Sequence, residues 1–183
     1  MPTALQFRRG TTSQNNAFTG VVGEISVDTT LDTLRVHDGS TAGGFLVTSR
    51  SSQYADIAER YHADAEYSPG TVVKISRGDT EITQTTEEAD INVFGIISTA
   101  PGFEMNAGAG PDSTHPFVAL AGRVPCKVIG KVVKGDRLIS SNTPGTAIAN
   151  TGDSPDYRPI IGRALESKDT EDAGTIEVVV GAK

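Results

Sequence analysis

Apolar residues along the chain come in short runs, cut every few positions by clusters of glycine, proline, serine, threonine and aspartate. ALQF (4–7), GEISVD (23–28), TLRVHD (33–38) and FLVTS (45–49) read as strands, with TTLD and DGSTAGG as the tight turns between them. TTSQNNAF predicts about one helical turn capped by Thr12 or Ser13. A second group of runs follows: TVVKIS, TEITQT, VFGIIST, FVALAGRVPCKVIGKVV, DRLISS, TAIA, IIGRALE and TIEVVVG. These alternate with turn signals at the spacing of a compact β-domain. The run from Phe117 to Val133 predicts two strands, broken at Gly122 to Pro125 or at Gly130, because proline cannot donate to a central ladder.

A second segment breaks the β pattern. In YADIAERY, residues Tyr54, Ile57, Ala58 and Tyr61 stand at i, i+3, i+4 and i+7, which predicts a short helix after the polar linker SRSSQ. The expected organisation is therefore all-β: an N-terminal module over 1–50, a linker and short helix over 51–61, and a C-terminal β-barrel or β-sandwich over 62–183. A module of about 50 residues with three or four strands buries too little apolar surface to stand alone. It needs disulfides, metals or association.

Composition narrows that choice. Of 183 residues one is cysteine, Cys126, so no intrachain disulfide forms, and His37, His62 and His115 are scattered without metal-ligand spacing. Association is left for the module, and no metal or cofactor is expected. Hydrophobic residues make up 37% and aromatics 5% with no Trp, so the core must be filled with Val, Ile, Leu and Ala. The net charge is −7, and since Arg8, Arg9, Arg35 and Arg50 balance Glu24, Asp28, Asp32 and Asp38, all the excess acid lies beyond residue 50. An acidic chain without basic stripes gives no support for nucleic-acid binding. No apolar run reaches membrane-spanning length, and MPTALQFRRG lacks the apolar stretch of a signal peptide, so the expectation is a soluble protein made in the cytoplasm.

Three stretches offer chemistry at first sight. RVHDGSTAGG brings His37, Asp38 and Ser40 close in sequence, but adjacency does not make a triad. The expected role is a strand end and turn in which Asp38 accepts from backbone amides and Gly39 takes a positive φ. Arg77-Gly78-Asp79 lies between two strand runs and reads as a hairpin turn. The loop TAPGFEMNAGAGPDSTHP (99–116) offers Phe103, Met105, Asn106 and His115 on a glycine-rich backbone, a candidate contact surface for an outside partner or for a neighbouring subunit.

LQFRRGTT at 5–12 and GEISVDTTLDTLRVHDGSTAGG at 23–44 resemble the N-terminal module of bacteriophage receptor-binding proteins of the tropism-determinant type. That resemblance implies a β-prism threaded from three chains, in which Arg8, Arg9, Gly10, Thr11, Thr12, His37, Asp38 and Gly39 are structural. YADIAERY, TVVKIS, VFGIIST, FVALAGRVPCKV, KGDRLISS, PGTAIA and IIGRALES resemble the peptidase G2-type chaperone domain of phage appendages, and more loosely the small β-barrels that decorate phage capsids. The first of these implies self-cleavage near Ser52 and Gln53, with Asp56 and Glu59 as the carboxylates that activate water or a hydroxyl. The bland alternative is that both cap a helix and face solvent. The reading that follows is a non-enzymatic structural protein of a phage virion, made in the host cytoplasm. It would be a homotrimeric tail-fibre or appendage component that contacts other virion proteins and a host-surface receptor. Capsid decoration and self-cleaving chaperone are the alternatives.

Overall fold

The computed structural model describes residues 6–47, 56–152 and 159–181. The chain divides into two compact units, Met1–Ser52 and Gln53–Lys183. Each is described by itself.

In the first unit, β1 (Arg8–Gly10) leads into α1 (Thr12–Asn16), followed by β2 (Ile25–Asp28), β3 (Thr33–Val36) and β4 (Phe45–Leu46). The helix is capped one residue earlier than the sequence suggests. Thr11 Oγ1 accepts from the Gln14 amide, and the Gln14 side chain accepts from the Thr11 amide, a reciprocal capping box. The sheet runs β1-β2-β3-β4, with β1 parallel to β2 and the remaining pairs antiparallel. Among the described residues its first strand is RRG, with Arg8 to Gly10 in register with Ser26 to Asp28; Ala4 and Leu5 of the expected strand ALQF lie outside the described residues.

The second unit contributes β5 (Asp56–Arg60), β6 (Val72–Ile75), β7 (Ile82–Gln84), β8 (Val93–Ile97), β9 (Phe103–Met105), β10 (Phe117–Val128), β11 (Arg137–Ser140), β12 (Ala147–Ala149), β13 (Ile160–Ala164) and β14 (Gly174–Val180). Five strands close on themselves in the order β10-β14-β13-β11-β12, with the ring completed by the pairing of Val128 with Ala147. The barrel interior is filled by Val124, Cys126, Leu138, Ile161, Ile176 and Val178 among others, the aliphatic core that the composition requires. Burial pushes the Cys126 thiol up to about 12, so it stays protonated and unreactive. The sheet continues from β10 through β8 and β6 to β7, and a second core of Val73, Ile82, Ile97 and Val118 packs with Tyr61 and Phe94.

Two expectations are corrected. The segment 56–60 is a strand, not a helix: it pairs antiparallel with β10 from Arg60 opposite Phe117 to Asp56 opposite Gly122, and in parallel with β9. Asp56 and Ala58 are buried while Ile57 is exposed, a period of two. The helical reading rested partly on Tyr54, which lies outside the described residues. The ladder satisfies an edge of β10 that an isolated two-turn helix would leave bare. Likewise β10 runs unbroken for 12 residues through Pro125 and ends before Gly130. Lys127 N–H donates to the Gly70 carbonyl, away from β14. By the two-residue period the Pro125 nitrogen faces that same side, so the β10–β14 ladder loses no donor.

Candidate functional site

The N-terminal sheet is inverted relative to an ordinary domain. Its buried residues are polar: Asn15, Ser26, Asp28, Thr33, Arg35 and His37, whereas the buried hydrophobic residues among those described all lie beyond position 57. Asp28 Oδ2 accepts from Arg35 Nη2 at 2.8 Å and from Nε at 3.2 Å. Its Oδ1 accepts from the Thr12 hydroxyl and from the amides of Thr30 and Leu31. Burial alone would raise the Asp28 pKa, but Arg35 and these donors outweigh it and hold the carboxyl below its ordinary range.

His37 is the second node. The Gly20 amide donates to Nδ1 at 3.3 Å, so the proton sits on Nε2 and is donated to Ser26 Oγ at 2.9 Å, whose own hydroxyl donates to Asn15 Oδ1 at 3.0 Å. A Cβ at Gly20 would come within 2.6 Å of the ring, which only glycine avoids. Asp38 turns away from His37. Its carboxylate accepts from the amides and hydroxyls of Thr41 and Ser40, which hold its pKa far below the ordinary value. Gly39 follows at φ +84°. The histidine, the aspartate and the serine of this loop therefore form no relay: Ser40 is bonded to Asp38, and His37 to Ser26 and Gly20.

The opposite face of the same sheet is apolar and bare. Alternation from the register places Ile25 and Val27 beside Val36 and Leu34, then beside Phe45 and Val47, with Phe7 next to Ile25. Of these, Phe7, Ile25, Leu34, Val36, Phe45 and Val47 are 37–58% exposed. Arg9 lies on this face too, opposite Val27, while Arg8 pairs with Glu24 at 2.7 Å and covers the Phe18 ring. A contiguous exposed apolar face of this kind is rare on a monomer and characteristic of interaction sites.

Residues 5–41 match the family described as "Major tropism determinant N-terminal domain". A tail fiber receptor-binding protein of Bordetella phage BPP-1 is 62% identical over 45 residues, which make up 25% of this chain and 12% of that protein. The chain thus spans only a small part of this relative's length. Among solved structures, the pre-mature bacteriophage phi29 gene product 12 matches with a TM-score of 0.50 and 14% identity, over 75% of this chain and 23% of that one. The N base of the phi29 head fiber gp8.5 matches with a TM-score of 0.41 and 14% identity, over 68% of this chain and 93% of that one.

In the second unit the loop candidates sit at separate places. Phe103, on β9, is 61% exposed beside Ile57, while Met105 is half-buried. Asn106 adopts φ 54° and donates to the Arg60 carbonyl. His115, at the other end of the loop, stacks on His62 with ring centroids 5.0 Å apart. Arg60, which sequence reasoning passed over, ties the loop down: it pairs with Asp112 at 2.7 Å, donates to the His115 carbonyl and lies over the Phe117 ring at 3.9 Å.

Of the self-cleavage candidates, Ser52 and Gln53 lie outside the described residues. Asp56 and Glu59 do not come together, because residues three apart on a strand face opposite sides. Glu59 accepts from the Tyr61 hydroxyl at 2.7 Å. Asp56 is 1% exposed and neither carboxylate oxygen has a hydrogen-bond partner among the described residues. Burial raises its pKa, opposed by the nearby Ser98 hydroxyl. A carboxyl whose folded pKa lies above its ordinary 3.8 stabilises the fold at low pH and loses that contribution as pH rises through the folded value. Asp56→Asn is therefore expected to raise the melting temperature at pH 7 and to flatten its dependence above pH 4, as read by circular dichroism from pH 3 to 8. A variant that melts lower than the parent at pH 7 would show the carboxylate to be satisfied.

Proposed function

We propose that the chain is a structural protein of a bacteriophage virion, built as a homotrimer through its N-terminal module and belonging to a tail fibre or similar appendage. The observation that carries this reading is the bare apolar face of the first sheet. A second copy of the same face covers it best, since identical chains bring identical patches together around a symmetry axis. The number three is what the tropism-determinant likeness implies, and the match of residues 5–41 supports it. The buried hydrogen-bond network ties α1 to the polar side of the sheet and so leaves the apolar side facing outward. The acidic second unit stays soluble when exposed on a particle. Attachment to other virion proteins and contact with a host-surface receptor complete the reading, with no catalytic activity.

Immunogold labelling of purified phage particles with antibody to the second unit is expected to mark appendages. Particles that carry no label while the chain is abundant in the lysate would overturn the assignment. Deleting residues 1–52 is expected to leave the second unit able to fold, since its barrel closes on itself, but absent from particles; incorporation at the parental level would contradict the anchoring role.

One observation favours a second reading, that of a peptidase G2-type chaperone which cuts itself near Ser52. The buried carboxyl of Asp56 begins the strand immediately after that segment, and burial raises its pKa, the direction that suits an acid donating to a leaving amine. Intact mass separates the two. The structural reading expects the full 19.1 kDa chain after prolonged incubation, the chaperone reading two fragments, lost in Asp56→Asn.

A further inference from the structure

The segment Ser68-Pro69-Gly70-Thr71 closes as a tight turn, the Thr71 amide donating to the Ser68 carbonyl at 3.3 Å and Gly70 standing at φ +83°. Proline at the second position and glycine at the third are what such a turn requires. It is pinned on both sides. The Gly70 amide donates to the Ile97 carbonyl at 2.8 Å, and the Gly70 carbonyl accepts from the Lys127 amide at 2.9 Å. Lys127, on β10, reaches the same turn with its side chain: Nζ donates to Ser68 Oγ at 2.6 Å and to Thr71 Oγ1 at 2.8 Å.

The two hydroxyls differ in what they do. Thr71 gives its own hydrogen to the Ser68 carbonyl at 2.7 Å, so toward Lys127 it only accepts, and it holds Nζ in place. Ser68 Oγ gives its hydrogen to no group among the described residues, which leaves it available to the amine beside it. No carboxylate pairs with Lys127 among the described residues, and burial lowers its pKa from the ordinary 10.5. Ser68 is exposed, and its amide makes no hydrogen bond among the described residues. A hydroxyl, an amine within hydrogen-bond reach and a third group that orients the amine are the parts of an activated nucleophile.

We propose that Ser68 and Lys127 form a nucleophile–base pair through which the protein accepts an acyl group from a carboxylic ester. Neutral Nζ takes the hydroxyl proton as Oγ bonds to the carbonyl carbon, and the Ser68 amide is a free donor for the oxyanion. The bond from that carbon to the leaving oxygen then breaks, and Lys127 passes the proton to the departing alcohol. An acyl-serine and an alcohol result, with Nζ neutral again. Acceptance of one acyl group is a covalent modification rather than turnover, so the site goes beyond the structural reading without altering it.

Incubation of the full chain with a fluorophosphonate tests the nucleophile: phosphorus stands in for the acyl carbon, fluoride leaves, and the serine ester survives peptide mapping. One label per chain, on Ser68, is expected. Lys127→Arg keeps the cation but cannot act as a base, so labelling should slow about a hundredfold or more while the melting temperature holds. Ser68→Ala, on an exposed turn, is the second variant. It should melt with the parent and lose the burst of one nitrophenolate per chain expected from p-nitrophenyl acetate. Three results overturn the proposal: no label on Ser68, labelling of Ser68 at the parental rate in Lys127→Arg, or a nitrophenolate burst that survives Ser68→Ala.

Discussion

Leu34→Asp or Val36→Asp is expected to convert the proposed three-chain particle into single chains at micromolar concentration. Both residues lie at the centre of the bare sheet face, 41% and 40% exposed in the single chain, on the strand flanked by β2 and β4. In the proposed trimer each substitution would bring three carboxylates together in an apolar interface, where unpaired charge is strongly disfavoured. A central anchor of this sort carries about 2 kcal/mol or more, a thirtyfold or larger loss of affinity for each chain docked. Ser26→Ala lies on the opposite face of β2 and is the control, since it disturbs the internal network without touching the exposed one. Sedimentation velocity reads the outcome. Variants that keep the parental sedimentation coefficient would place the association elsewhere.

The second large effect concerns Asp28 and Arg35. Their side chains are 0% and 6% exposed, and removing one partner strands the other charge inside the module. Asp28→Ala is expected to cost about 3–5 kcal/mol, enough to unfold a unit of this size as an isolated chain. Replacing both, as in Asp28→Leu with Arg35→Met, should recover most of the loss, because the uncompensated charge is then gone. The pH dependence follows from the depressed carboxyl: its contribution is complete above the ordinary 3.8 and is lost as pH falls through the lower folded value, so the N-terminal unit should melt first on acidification below pH 4. Calorimetry with the single and double variants checks both statements. A single variant that melts within a degree of the parent would show the pair to be dispensable.

Much of this architecture was legible because turns and alternation are local. Asp38 and Gly39 carry their own turn chemistry, and seven of the eight runs beyond residue 70 contain a strand where one was expected, the eighth being the long run through Pro125 that forms one strand instead of two. The segment 56–60 misled because four apolar positions in eight residues fit a helix as well as a strand, and only the distant β10 decides between them. The inverted N-terminal sheet has the same cause. Ile25, Val27, Leu34 and Val36 announce one apolar face, yet nothing local says that α1 covers the polar side and leaves the apolar side bare.

The most direct measurement is the absolute mass of the purified intact chain by light scattering, followed on dilution through the micromolar range. The account predicts a particle of three times 19.1 kDa that holds its mass on dilution. A single 19.1 kDa chain at those concentrations would mean that the apolar face of the N-terminal sheet is left uncovered by its own copies, and would contradict the account.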